Sequence, residues 1–188
     1  MPLPSSIKRK VTMSDHHGHH HGHSHHHGHN DDHCHNPVPC FIKGSKVSTN
    51  KGLKEVSKVR VDDLILTRDN GFKPVAWVGS NTGYSYVKLP TTKVSPNHRM
   101  LVSDRGEALI VAKKLNEGKL IHKPVTLVHF MLEQHEIVNV DETWSESFRP
   151  GSWILSVMSE LQSKAILSLF PAFAKGEFHS LARPEIKH

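Results

Sequence analysis

Several side chains in this sequence are of the types that nucleophilic and proton-transfer chemistry uses. Cys40 supplies a thiol, which attacks carbonyl groups once deprotonated. The stretch SPNH sets a hydroxyl, Ser95, three residues before an imidazole, His98. Two further imidazoles, His129 and His135, follow in VHFMLEQHEIV, with Asp141 and Glu146 just beyond. Six residues apart on one expected strand, His129 and His135 should point to the same face. Each residue also has an ordinary explanation. Cys40 reads as a small buried hydrophobe, His98 as a loop histidine, and His129 and His135 as satisfied core or surface groups. Asp141 and Glu146 read as turn and surface residues.

A second chemistry is written in the first 39 residues, which hold 12 of the 18 histidines and no aromatic residue. The candidate metal ligands are His16, His17, His19, His20, His21, His23, His25, His26, His27, His29, His33, Cys34 and His35. Such clustered imidazoles bind Zn, Ni or Cu as mixed, exchanging complexes. They show no fixed four-ligand spacing of the kind a structural zinc site needs. A metal-capturing tail, a solubilising linker with incidental metal affinity and an expression tag remain open readings. The segment has too little apolar surface to offset its ordering entropy, so residues 1–39 are expected to be disordered.

About 150 residues then remain, which suits one domain with a single core. The net charge of +6 is scattered rather than gathered on one face with aromatic partners, so no nucleic-acid partner is expected. The apolar-rich run from Trp153 to Phe173 is broken by Ser, Glu, Gln and Lys and does not read as a membrane span. No N-terminal apolar segment reads as a signal peptide, and the compartment is left open. Cys34 and Cys40 are too close in sequence for a bridge between them to stabilise a fold.

From Cys40 onward, β signals position the candidate residues. SKVST alternates, NKG turns, and LKEVSKVRV continues as strand. RDNG (residues 68–71) supplies an Asn-Gly turn between DLILT and FKPVAWVG, with Pro74 marking an edge or bulge. YVKLPTTKVS reads as strand. HRMLVSD and EALIVA form a second hairpin about Gly106. Residues 112–118 suggest a short helix stopped by Gly118. The segment from Val125 to Phe148 is mostly strand, with a turn near Asp141-Glu142. Past Pro150-Gly151 the apolar period becomes helical, with Ile154, Leu155, Met158, Leu161, Ile166, Leu167 and Phe170 predicting one helix that Pro171 limits. Trp77, Trp144 and Trp153 are expected to be core or half-buried.

Three stretches together resemble the Hint (hedgehog/intein) domain family. CFIKGSKVSTNKGLKEVSKVRVDDLILTRDNGFKPVAWVG resembles its opening segment. VSPNHRMLV is similar to its Thr-x-x-His segment, with Ser95 in the threonine position. VHFMLEQHEIVNVDETWSESFRPGSW resembles its closing segment. The similarity runs from about Cys40 to Arg183 and is greatest to a bacterial subfamily often found at the C-terminus of secreted proteins, which implies export. The resemblance implies an all-β, Hint-type horseshoe of β-hairpins at residues 40–150. A C-terminal helix and extension at 151–188 and the disordered His-rich tail at 1–39 complete the expected organisation.

The same resemblance implies autoproteolysis of the Pro39–Cys40 bond. The Cys40 thiol would attack the Pro39 carbonyl in an N-to-S acyl shift, and water or a small nucleophile would release the chain's own N-terminal segment. No cofactor is required. His98 would protonate the departing nitrogen, Ser95 would bind the scissile peptide or its oxyanion, and His135 would assist. The family's terminal His-Asn is replaced here by WSESF, so cleavage at the N-terminal junction is expected rather than full splicing. No sterol-recognition region is visible. A metal on the tail would hold Cys34, and Cys40 if within reach, as bound thiolate and block attack. The competing readings are a His-rich metal-binding protein and a catalytically inert Hint-fold interaction module.

Overall fold

The computed structural model describes residues 38–104 and 106–186. Every metal-ligand candidate of the tail lies outside the described residues. The described residues fold into eleven strands followed by two helices. The strands are β1 (Phe41–Ile42), β2 (Lys46–Thr49), β3 (Gly52–Glu55), β4 (Leu64–Thr67), β5 (Gly71–Lys88) and β6 (Lys93–Val94), then β7 (Arg99–Ser103), β8 (Glu107–Val111), β9 (Lys119–Leu132), β10 (Ile137–Val140) and β11 (Thr143–Glu146). The helices are α1 (Ser152–Val157) and α2 (Glu160–Leu169).

Hydrogen-bonded neighbours run β6-β1-β9-β5-β4-β2-β10-β11-β7-β8, with β3 beside β2. All the strand pairs are antiparallel, and β6 also pairs with β5. Strands β1, β9, β5 and β6 therefore close on themselves. Phe41 sits opposite both Val94 of β6 and Val128 of β9, and Val94 in turn opposite Val87 of β5. The residue before Phe41 is pinned at this junction.

Alternation decides which core each side chain enters. Phe41, Val128, Phe130 and Leu132 enter the main core. Cys40, Ile42, Leu127 and Met131 point the other way, into a second cluster with Val38, Trp77 and Phe148. Ile166 of α2 and Phe173 cover that cluster, with Ile154, Leu155, Met158, Leu167 and Phe170 packed around them.

The Asn70-Gly71 hairpin forms between β4 and β5, with Thr67 opposite Gly71. The Gly106 hairpin joins β7 and β8 as its alternation indicates. Asp141 and Glu142 turn the β10–β11 hairpin with φ of 51° and 58°, the left-handed pair that a two-residue hairpin loop requires. The Asp141 carboxylate accepts from the Lys46 N–H at 2.7 Å and the Thr92 hydroxyl at 2.8 Å. Those bonds offset the cost of a non-glycine turn.

Four expectations are corrected. The segment LKEVSKVRV is strand only to Glu55, then a 3-10 turn over Val56–Lys58 that buries Val56. Residues 112–118 hold a single 3-10 turn, Ala112–Lys114, capped by Leu115 rather than Gly118. The C-terminal helix is two helices, broken at Met158. Ser159 caps α2 by accepting from the Gln162 N–H at 3.3 Å, a start signal that the apolar stripe concealed. Trp153 is 62% exposed rather than half-buried, because α1 turns it outward.

The chain beyond the helices returns to the sheet. Leu109 N–H donates to Pro184 C=O at 2.8 Å, and Ile186 N–H donates to Leu109 C=O at 2.8 Å, in a parallel bridge along β8. Arg183 pairs with Asp69 at 2.6 Å and Glu107 at 2.8 Å.

Ile166 is fully buried against the second cluster. Ile166→Ala is expected to destabilise the protein by about 2–5 kcal/mol in urea unfolding, and to raise the reaction rate of Cys40 with an aromatic disulfide reagent.

Candidate functional site

The turn that carries Ser95 and His98 is built by its own sequence. Pro96 presets the backbone for the first corner, and the His98 N–H closes the turn on the Ser95 C=O at 3.0 Å. The Ser95 N–H donates to the Cys40 C=O at 2.9 Å, which extends the β1–β6 pairing one residue towards the tail. The Ser95 side chain then faces the peptide on either side of Pro39. Its Oγ accepts from the Cys40 N–H at 2.8 Å and donates to the Val38 C=O at 2.9 Å. The hydroxyl thus bridges the two peptide groups that flank the Pro39 residue, the second of them the Pro39–Cys40 peptide itself.

The Cys40 side chain is 0% exposed. Its Sγ lies 3.3 Å from His129 Nδ1. The pairing of Phe41 with Val128 and Ile42 with Leu127 sets Cys40 opposite His129 in the antiparallel register. The His129 ring stacks on Trp77 at 5.2 Å and leans on Phe148 at 5.0 Å. Gly79, its partner on β5, leaves the room: a Cβ there would stand 2.6 Å from His129 Nε2 and 2.3 Å from the Trp77 ring. With the thiol proton directed at Nδ1, the ring's own proton sits on Nε2, which has no partner among the described residues.

The predicted pairing of His129 with His135 on one strand does not occur. Strand β9 stops at Leu132, and His135 lies in the following turn. His135 Nδ1 accepts from the Ala182 N–H at 2.9 Å, and its Nε2 lies 3.3 Å from Glu146 Oε2. Glu146 is fully buried and not a surface residue as expected. It accepts from the Arg99 N–H at 2.9 Å and meets the Arg99 guanidinium at 3.3 Å. His98 is buried, with its ring 4.6 Å from that of Phe41 and both ring nitrogens unpartnered among the described residues.

Burial dominates the electrostatics. It pushes the Cys40 thiol well above its usual range, so the resting group is S–H. Desolvation lowers His98 to about 4, opposed by the charge of Glu146. Desolvation also lowers His129 to about 4. Both imidazoles are neutral at pH 7. Burial alone would raise Glu146, but the His135 contact and the charge of Arg99 outweigh it and keep the carboxylate ionised.

The structure therefore brings Cys40, Pro39 and Ser95 together and sets His98 on the same turn as Ser95. His135 joins Glu146 instead of the thiol. His129, singled out only weakly by sequence, is the thiol's partner. Among the described residues, no group of three or more His, Cys, Asp or Glu side chains is placed to hold a metal ion. No helix among them is long and apolar enough to cross a membrane.

A thiol strapped to its own upstream peptide, on a closed antiparallel frame, is the arrangement of a module whose chemistry points at its own chain. Residues 39–92 and 87–152 match the model of the Hint domain, and the chain belongs to the Hint domain family. A comparison with curated proteins finds no match. Similar solved structures include a bacterial intein-like domain from Clostridium thermocellum, at 17% identity and a TM-score of 0.49, covering 58% of this chain and 97% of that one. The AceL NrdHF class 3 split intein is similar at 17% identity and 0.46, covering 58% and 96%. The gp41-1 intein is similar at 18% identity and 0.43, covering 57% and 97%.

The two lowered imidazoles set a pH dependence. In the unfolded chain each takes up its proton near pH 6.5, in the fold near 4. Below about pH 6.5 the unfolded chain binds more protons, so acidification from 6.5 towards 4 destabilises the fold. Each histidine contributes on the order of 3 kcal/mol to that loss. Urea unfolding of the Cys40→Ala protein at pH 7, 5.5 and 4.5 is expected to show this slope, and His129→Phe in that background is expected to flatten it.

Proposed function

We propose that this Hint domain is a self-processing module that cleaves its own Pro39–Cys40 bond. The observation that carries the reading is the double constraint on Cys40. Its Sγ is 3.3 Å from an imidazole nitrogen, while its own amide N–H is held at 2.8 Å by the Ser95 hydroxyl. A residue whose thiol has a proton acceptor, and whose peptide nitrogen has a hydroxyl partner, is equipped to exchange the second group for the first.

His129 Nδ1 withdraws the thiol proton as Sγ bonds to the Pro39 carbonyl carbon. The carbon–nitrogen bond then breaks, leaving a Pro39 thioester and a free Cys40 amine. The nitrogen gains one proton from the protonated form of His98, the thiol loses one to His129, and that proton passes back to His98, so both imidazoles end neutral. No net charge is created, which suits an apolar site where a separated thiolate and imidazolium would be costly. Water next adds to the thioester, releasing the Pro39 carboxylate and restoring the thiol. The chain supplies every group, and the reaction calls for no cofactor. Pro39, hindered beside its carbonyl, makes the acyl shift slow, and the helices over the cluster restrict water.

His129 takes the role of base, and His98 that of proton donor to the nitrogen. Ser95 positions the peptide. His135 acts through Glu146 and does not touch the reacting atoms. The substrate is the chain's own N-terminal segment. An inert module with the same fold is the competing reading, favoured by the complete burial of Cys40.

Intact mass measured over days on the purified full chain decides between them. The expected product is a fragment whose N-terminus is Cys40, absent in Cys40→Ala and formed at least about a hundredfold more slowly in His129→Phe. Gly79→Ala, which drives a methyl group into the His129 ring position, is expected to slow it by at least tenfold. A full-length mass unchanged in the parent protein would leave the inert reading standing.

A further inference from the structure

The cleavage chemistry leaves one buried ionised group unused. Glu146 closes β11 with no exposure to water, and a carboxylate in that position is retained only where partners hold it. Its partners come from two separate places, the start of β7 and the turn after β9. The Arg99 N–H donates to Oε1 at 2.9 Å, and the Arg99 guanidinium lies 3.3 Å from Oε2. His135 Nε2 approaches Oε2 at 3.3 Å. Because the Ala182 N–H occupies His135 Nδ1 at 2.9 Å, the ring proton sits on Nε2 and faces the carboxylate. Glu185 holds the other side of Arg99 at 3.0 Å. The returning C-terminal segment thus supplies two of the groups that fix this cluster.

His98 stands one residue from the Arg99 N–H that Glu146 grips. Nothing among the described residues hydrogen-bonds its ring. It is held by its backbone, by the Ala112 N–H on its carbonyl at 2.8 Å, and by the Phe41 ring. The charged and titratable groups that act on it are Glu146 from β11, Arg99 from β7 and His135 from the turn after β9. Glu146 alone favours its protonated form.

We propose that Glu146 is a positioning residue for the self-cleavage: it anchors the start of β7, and so the turn bearing His98, and sets a fixed negative charge where His98 must carry a proton. The inference rests on the cleavage reading and names how that site is tuned. Arg99 and His135 orient the carboxylate, and Ala182 and Glu185 keep both in place. Residues 182–185 lie outside the part of the chain that matches the family model, so this stretch makes the C-terminal segment part of the site's support.

The test has two readouts. The first is the pH profile of cleavage in the full chain. Glu146→Gln is expected to slow cleavage at least tenfold and to move the profile's alkaline limb to lower pH, with Glu146→Asp restoring part of both. A folded Glu146→Gln protein with the parent rate and profile overturns the proposal. Should that variant not fold, Glu185→Gln decides. It frees Arg99 to neutralise Glu146 and is expected to slow cleavage two- to fivefold; an unchanged rate overturns the proposal. The second readout is independent of cleavage. Histidine side-chain NMR in the Cys40→Ala protein should show the His98 midpoint falling by about one pH unit when Glu146→Gln is added. If the parent chain never cleaves, the functional reading falls, while this midpoint still decides the role of Glu146: a fall supports it, and no movement overturns it.

Discussion

A thiol with no access to water keeps its proton unless a neighbour takes it. That constraint governs this structure. Cys40 lies in an apolar cluster sealed by Ile166 and Phe173, where burial holds the S–H form against ionisation. Among the described residues, no counter-charge stands ready to stabilise a free thiolate. The neutral imidazole of His129 at 3.3 Å is the proton acceptor that the site provides. In the proposed cleavage the proton therefore moves only as the new carbon–sulfur bond forms, and loss of the thiol proton is set by geometry rather than by free ionisation of the thiol. The same burial makes both site histidines neutral at rest, so the resting centre holds no separated charge and tolerates its apolar walls.

The geometry comes from strand pairing. Closure of β1, β9, β5 and β6 fixes Phe41 between two strands at once, and the residue before it has little freedom left. The antiparallel register then puts Cys40 opposite His129, and one hydrogen bond beyond β1 brings Ser95 against the same residue. A slip of one residue in that register would send Cys40 into the main core and Phe41 towards His129. Large apolar side chains on both faces of β9 forbid the slip, so the hydrophobic pattern that folds the sheet also aims the Cys40 thiol.

Much of this was legible from local pattern. The Asn70-Gly71 and Gly106 hairpins announce themselves by turn chemistry, and the Cys40, Ser95 and His98 positions follow from the resemblance of their segments to the Hint domain. What stayed hidden was non-local. His129 becomes the partner of Cys40 through pairing across 89 residues, which no spacing encodes. Glu146 looks like a strand-end surface acid until Arg99, His135 and the returning C-terminal segment enclose it. Gly79 is readable as special only after the His129 ring is seen against it. The break between α1 and α2 was legible in Ser159 and was masked by an apolar stripe that crosses it without losing phase.

In the proposed self-cleavage the Cys40 sulfur takes the Pro39 acyl group from its own nitrogen. Incubation of the full chain with hydroxylamine, followed by mass spectrometry of the released N-terminal fragment, tests it most directly. The expected product is a fragment ending at Pro39 as the hydroxamate, formed faster than the free acid forms in water and lost in Cys40→Ala. Release at the same rate with and without hydroxylamine, a fragment that persists in Cys40→Ala, or a chain that stays whole would contradict it.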